Sequence, residues 1–234
     1  MSSFPATGPD HGLHPRTAAW RRPTAGEPRW PSVAAIVVAI VLQLLLPDRL
    51  SLQPRWLLPG IEVALLVALI GANPVRLVHA HPVLRGLGLG LVATMTVANA
   101  GSAALLIDRL LTGRAGTSAV TLVGSGAAIY ATNIIAFALW YWELDRGGPV
   151  ERARGSRQHT DFLFPQMTQP DVGKAEWEPA FIDYLYVSYT NAVAFSPTDT
   201  MPLSRWAKLL MLGQSAVALS TVALVIARAV NILR

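Results

Sequence analysis

The chain contains no cysteine, which excludes disulfides, thiolate metal centres, iron–sulfur clusters and cysteine nucleophiles. Charge is also scarce. Only 14% of the 234 residues are Asp, Glu, Lys or Arg, against about 25% in an ordinary soluble domain. Lysine is reduced to Lys174 and Lys208, beside 17 arginines. With abundant Ala, Gly, Pro and Leu, that bias points to a GC-rich bacterial source. Catalytic motifs are missing too: there is no H-E-x-x-H, no G-x-S-x-G and no phosphate-binding Walker loop. The five histidines (His11, His14, His79, His81, His159) form no cluster with carboxylates at metal-ligand spacing. No metal, no cofactor and no enzymatic activity are expected.

Apolar sequence is what the chain has in excess. Hydrophobic residues make up 52% of it, and the mean hydropathy is +0.40. Five apolar runs, at about 33–46, 56–72, 84–111, 118–142 and 203–232, approach or exceed the roughly 20 residues that cross a hydrocarbon core. A sixth, 181–195, is short and carries Asp183 and Asn191. The fold class predicted is all-α: a polytopic membrane protein with about five transmembrane helices and a short re-entrant, pore-like helix before the last. The first run is short enough to raise a signal-peptide alternative. Its long proline-rich leader and its "LLLPDRLS" ending oppose cleavage and favour a short uncleaved span.

Around the runs, residues 1–31 hold six prolines and four arginines without apolar periodicity, and read as a disordered tail. Residues 143–180 form a polar loop, and 32–234 a single transmembrane domain. The net charge of +5 is scattered over the ends of the runs without a basic stripe, so the expected partner is the lipid bilayer and not nucleic acid. Counting Lys and Arg by alternate loops gives 13 on the side of the N-terminus and 6 on the other. The positive-inside rule then puts the N-terminus in the cytoplasm of a bacterial inner membrane. "WYW" at 140–142 fits an interfacial aromatic belt.

Polar residues inside apolar runs are the candidates for function, because hydrocarbon penalises them. Glu62 reads either as an ion or proton site or as an acid held near the headgroups. Asn99 and Asn133 read as interhelical glue or as part of a polar path. In "RGLGLGLV", Gly86 and Gly90 are expected to let helices approach closely, as are Gly124 and Ala128.

From Glu143 onward, "WYWELDRGGP", "DFLFPQ", "FIDYLYVSYTNAVAFSPTDTMPLSRWAKLLM" and "ARAVNIL" resemble an uncharacterised family of bacterial integral membrane proteins, which implies no particular activity. More distantly, the same part is similar to the pore helix, filter and inner helix of tetrameric potassium channels. The similarity sets Tyr186, Ser188 and Tyr189 on pore-helix positions, Asp199 on the filter aspartate and Pro202 on the proline that follows. Ala194, Phe195, Ser196, Pro197 and Thr198 replace the filter core. Without glycine, that stretch cannot cheaply turn a stack of carbonyls inward, so a potassium-type filter is not expected. The resemblance implies an oligomeric, ion-channel-like pore with Thr190, Asn191, Ser196, Thr198 and Asp199 at a pore or polar turn. The alternative is a non-conducting membrane scaffold or sensor that binds a partner through 143–180. A homo-oligomer is an assembly open to such a chain, and the sequence specifies no protein partner.

Overall fold

The computed structural model describes residues 19–72, 75–77, 81–114, 118–156, 159–168, 177–194 and 199–233. Most of them are helical. Eight α-helices follow one another: α1 (Trp30–Leu45), α2 (Leu57–Ala72), α3 (Pro82–Leu111), α4 (Ala119–Leu144), α5 (Pro149–Arg154), α6 (Pro165–Thr168), α7 (Phe181–Ala194) and α8 (Arg205–Leu233). Two short strands, β1 (Phe162–Leu163) and β2 (Met201–Pro202), pair antiparallel, with Phe162 opposite Pro202 and Leu163 opposite Met201.

Helix ends follow local chemistry. Pro31 and Pro82 occupy first-turn positions of α1 and α3, where the missing N–H costs no hydrogen bond. The His81 ring accepts from the Val83 amide, and the Ser118 hydroxyl accepts from the Thr121 amide; each cap satisfies an orphan donor. Gly113 closes α3 at φ +72°.

Three helices, α3, α4 and α8, are long and apolar enough to cross a membrane. At 1.5 Å per residue their 30, 26 and 29 residues reach about 39–45 Å. α1 and α2 are apolar but have 16 residues each, or about 24 Å. α4 is the central helix. Its apolar window is 72% buried, against 44% for α3 and 28% for α8.

The five long elements alternate in direction. Residues 27–29 bond to 75–77 where α1 starts and α2 ends. Arg109 near the end of α3 donates to the Arg49 carbonyl between α1 and α2. Gly126 and Asn133 of α4 meet Val225 and Gln214 of α8, an antiparallel register. One end of the bundle therefore collects the start of α1, the end of α2, the start of α3, the end of α4 and the start of α8. Ten of the described Lys and Arg residues lie at this basic end, and five at the opposite one.

Three expectations change. The segment 19–31 does not read as a loose tail: Trp20, Glu27 and Arg29 are buried, and Pro28 bridges Arg76. Residues 1–18 lie outside the described residues. The polar loop, as far as it is described, is packed, with Asp145, Arg146, Arg152, Phe162 and Phe164 all buried. The close glycines are also different ones. A Cβ at Gly86, Gly90 or Gly124 would meet nothing within 4 Å, whereas at Gly101 it would strike Leu52 at 2.7 Å and at Gly126 Val225 at 2.8 Å.

After α4 the chain reverses through Arg146, Gly147 and Gly148, all at positive φ. A side chain at Gly148 (φ +99°) would also meet the Glu143 carbonyl at 3.0 Å. Gly148→Ala is expected to cost about 1–3 kcal/mol, read as a lower melting temperature in detergent. Gly86→Ala, which faces open space, is the control and should leave melting unchanged or slightly raised.

Candidate functional site

α7 and α8 form the unusual feature. Two helices joined by a short connection normally run antiparallel, but these run parallel. Tyr184 of α7 and Trp206 of α8 both pack on Phe162, with ring centroids 6.2 and 5.8 Å away. Further in, Ser188 meets Gln214, Asn191 meets Gln214 and Ser215, and Ala192 shares a cluster with Ala218. Both helices thus start at the basic end and point into the bundle. The chain leaves α7 at Ala194, deep in the bundle, and by Met201 it is back beside Leu163 at the basic end.

A polar network holds this parallel pair to α4, and Gln214 is its centre. Its side chain is fully buried and uses all four of its hydrogen-bonding positions. Oε1 accepts from the Tyr141 hydroxyl at 2.6 Å and from Asn191 Nδ2 at 2.8 Å. Nε2 donates to the Ser188 carbonyl at 2.9 Å and to its hydroxyl at 2.7 Å. Ser188 Oγ in turn donates to the Ile134 carbonyl at 2.6 Å, and Asn133 Nδ2 donates to the Gln214 carbonyl at 3.3 Å. Three helices are joined through groups that hydrocarbon cannot solvate.

The hairpin is anchored at the basic end by buried charges. Asp145 Oδ2 accepts the Tyr184 hydroxyl at 2.5 Å, and Oδ1 accepts the Asp161 amide at 2.8 Å. Asp161 accepts the Arg146 amide at 3.0 Å and the Trp206 indole at 2.9 Å. Arg152 donates to the Trp142 carbonyl at 2.5 Å and the Asp145 carbonyl at 3.0 Å. Its guanidinium lies 4.9 Å from the Tyr184 ring centroid and 3.8 Å from Glu27. Glu27 accepts the Trp142 indole at 2.7 Å and the backbone amide of Phe181, the first residue of α7. Burial pushes the Glu27 carboxyl above its ordinary range, partly offset by Arg152 and the two donors.

Of the candidates named from sequence, Asn191 and Asn133 come together here, both on Gln214. Thr190 bonds back to the Tyr186 and Val187 carbonyls of its own helix, and Asn191 turns inward to the Met211 carbonyl and Gln214. Asp199 is exposed where the chain re-emerges, and Ser196 and Thr198 lie outside the described residues. Asn99 is buried in α3. Glu62 is apart from the hairpin, fully buried on α2, with one oxygen taking Gln43 Nε2 at 3.1 Å and the other without a hydrogen-bond partner.

Sequence reasoning missed Gln214, Glu27, Asp145 and Arg152. Gln214 was open to the rule that flagged Asn133, a lone amide inside an apolar run. The other three carried no such signal, because a buried ion cluster and a solvated loop have the same composition. No family model, curated protein or solved structure matches this chain.

Proposed function

We propose that the chain crosses a bacterial inner membrane five times, with the basic end in the cytoplasm. In this reading α1 and α2 are short spans, and the α7–α8 hairpin lines a polar, ion-channel-like path at the centre of a homo-oligomer. The parallel entry of α7 and α8 from one end supports this most directly. Backbone that dips into a bilayer without completing a span is tolerated only where protein or a water-filled path surrounds it. The outward stripe Ile182, Tyr186, Tyr189 and Val193 on α7 is apolar and suits a neighbouring copy.

Roles within the hairpin divide accordingly. Thr190 and Asn191 spend their hydrogen bonds inside the protomer and act as positioning residues. Asp199 is the described candidate that faces the path, and its carboxylate favours cations. Purified protein in vesicles is expected to pass monovalent cations above the protein-free background, and Asp199→Asn is expected to cut that flux at least fivefold. Flux equal to empty vesicles, or flux indifferent to Asp199→Asn, would sink the reading.

A further inference from the structure

A second site lies at the basic end, away from the hairpin. A cleft of about 420 Å³ opens between α1, α3, the last turns of α4 and the 147–154 turn, within the size range of ligand pockets. It has two chemically distinct zones. The floor is hydrocarbon, formed by Ile36, Leu69, Leu91, Val92 and Leu139, all buried. The rim carries three arginines, Arg29, Arg85 and Arg154, with His81, against two acids, Glu143 and Glu151. Arg85 is braced at 2.5 Å by the Gly147 carbonyl, and Arg154 lies 3.5 Å from Glu151. The Gly88 Cα keeps the floor open beside Glu143, whose Oε1 would be only 3.1 Å from a Cβ there.

We propose that this cleft binds a phosphate-bearing lipid, with its phosphate at the arginine rim and an acyl chain on the apolar floor. Arginine presents a planar fork that matches phosphate oxygens two at a time, and the rim has more guanidinium than carboxylate charge. An apolar void at membrane depth gains dispersion contacts when hydrocarbon fills it. Apart from Ser32, whose hydroxyl already donates to the Arg29 carbonyl at 2.9 Å, the described lining below the rim is apolar, which disfavours a base or sugar. The cleft is also at the basic end of the bundle, bordered by the start of α1 and the last turns of α4. Basic pockets between membrane helices on the arginine-rich side are where anionic headgroups collect. The site does not depend on conduction by the hairpin.

Native mass spectrometry of the purified full chain in non-ionic detergent tests this with three probes: phosphatidylglycerol, a diacylglycerol of the same chains, and inorganic phosphate. Phosphatidylglycerol is expected to reach at least tenfold higher occupancy than either other probe. Arg85→Gln and Val33→Trp, the second filling the cleft from α1, should each lower that occupancy fivefold or more. Arg154→Gln, at a half-exposed position, should lower it at least twofold with unchanged melting, so that loss of binding is separated from loss of fold. Equal occupancy by the diacylglycerol would remove the role of the phosphate. Equal occupancy by inorganic phosphate would make this a free-anion site, and wild-type binding by Val33→Trp and Arg154→Gln would locate the lipid elsewhere. Each of these results overturns the proposal.

Discussion

Gln214→Leu is expected to destabilise the protein by about 2–3 kcal/mol and to detach α7 from α8. Interhelical hydrogen bonds in membranes average only about 0.6 kcal/mol each, but Gln214 makes four at once. Leucine nearly matches its volume, so packing changes little and the loss comes from orphaned groups. The Tyr141 hydroxyl, the Asn191 amide and the Ser188 carbonyl are all left without that partner in a water-free interior. Thermal unfolding in detergent, followed by intrinsic fluorescence, reads the first effect. Proteolysis near Asp199, or hydrogen exchange at 188–192, reads the second. Gln214→Glu separates the contributions: it keeps the acceptor for Tyr141 and Asn191 but replaces the two N–H donors to Ser188 by at most one O–H of a neutral carboxyl. A Leu variant as stable as wild type would show that α7 is held by apolar packing alone.

Arg152→Met is expected to cost more, about 3–5 kcal/mol, the range for removing one partner from a buried charge pair. Arg152 lies 3.8 Å from Glu27 and also bonds the Trp142 and Asp145 carbonyls. Without it, only the Trp142 and Phe181 donors oppose the effect of burial on Glu27, and the carboxyl rises further. Glu27→Gln removes the charge and keeps an acceptor for one of the two donors, since Trp142 and Phe181 bond different oxygens; it is expected to be milder than Arg152→Met, because it leaves no uncompensated buried carboxylate. The double variant should be less damaged than the sum of the two, because the second change removes the charge that the first left uncompensated. Additive melting shifts would mean that the two groups do not interact.

Glu27 also gives stability a pH dependence of known sign. Its folded carboxyl titrates above its ordinary value near 4.5, so the folded state binds the proton more tightly than the unfolded one. This contribution is fully present below about 4.5 and is lost as pH rises through the raised folded value.

The apolar runs alone determined that this is a helical protein with helices long and apolar enough to cross a membrane. Transfer of hydrocarbon from water is additive along the chain and needs no knowledge of neighbours. Helix ends were nearly determined as well: the boundaries expected at 84 and 142 for the third and fourth runs fall two residues from Pro82 and Leu144. The short helix before the last span was readable from its length and its embedded Asp183 and Asn191. That Asn133 would need a partner on another helix was readable from the cost of an amide in hydrocarbon, and it finds one in the Gln214 carbonyl.

Only the tertiary structure decided which way those residues point and what they meet. Gln43 finds Glu62 across 19 positions, Gln214 finds Tyr141 across 73, and Glu27 finds Phe181 across 154. The glycines behaved in the same way. Gly86 and Gly90 match a close-packing pattern yet face open space, while Gly101 and Gly126, with no such pattern, lie against Leu52 and Val225. Hydrogen bonds and close contacts are pairwise and directional, so their energy belongs to a geometry that one member of the pair does not encode. Burial by hydrocarbon is a property of each residue, and that is why the spans could be read from the sequence while the hairpin's anchors and the arginine-rimmed cleft could not.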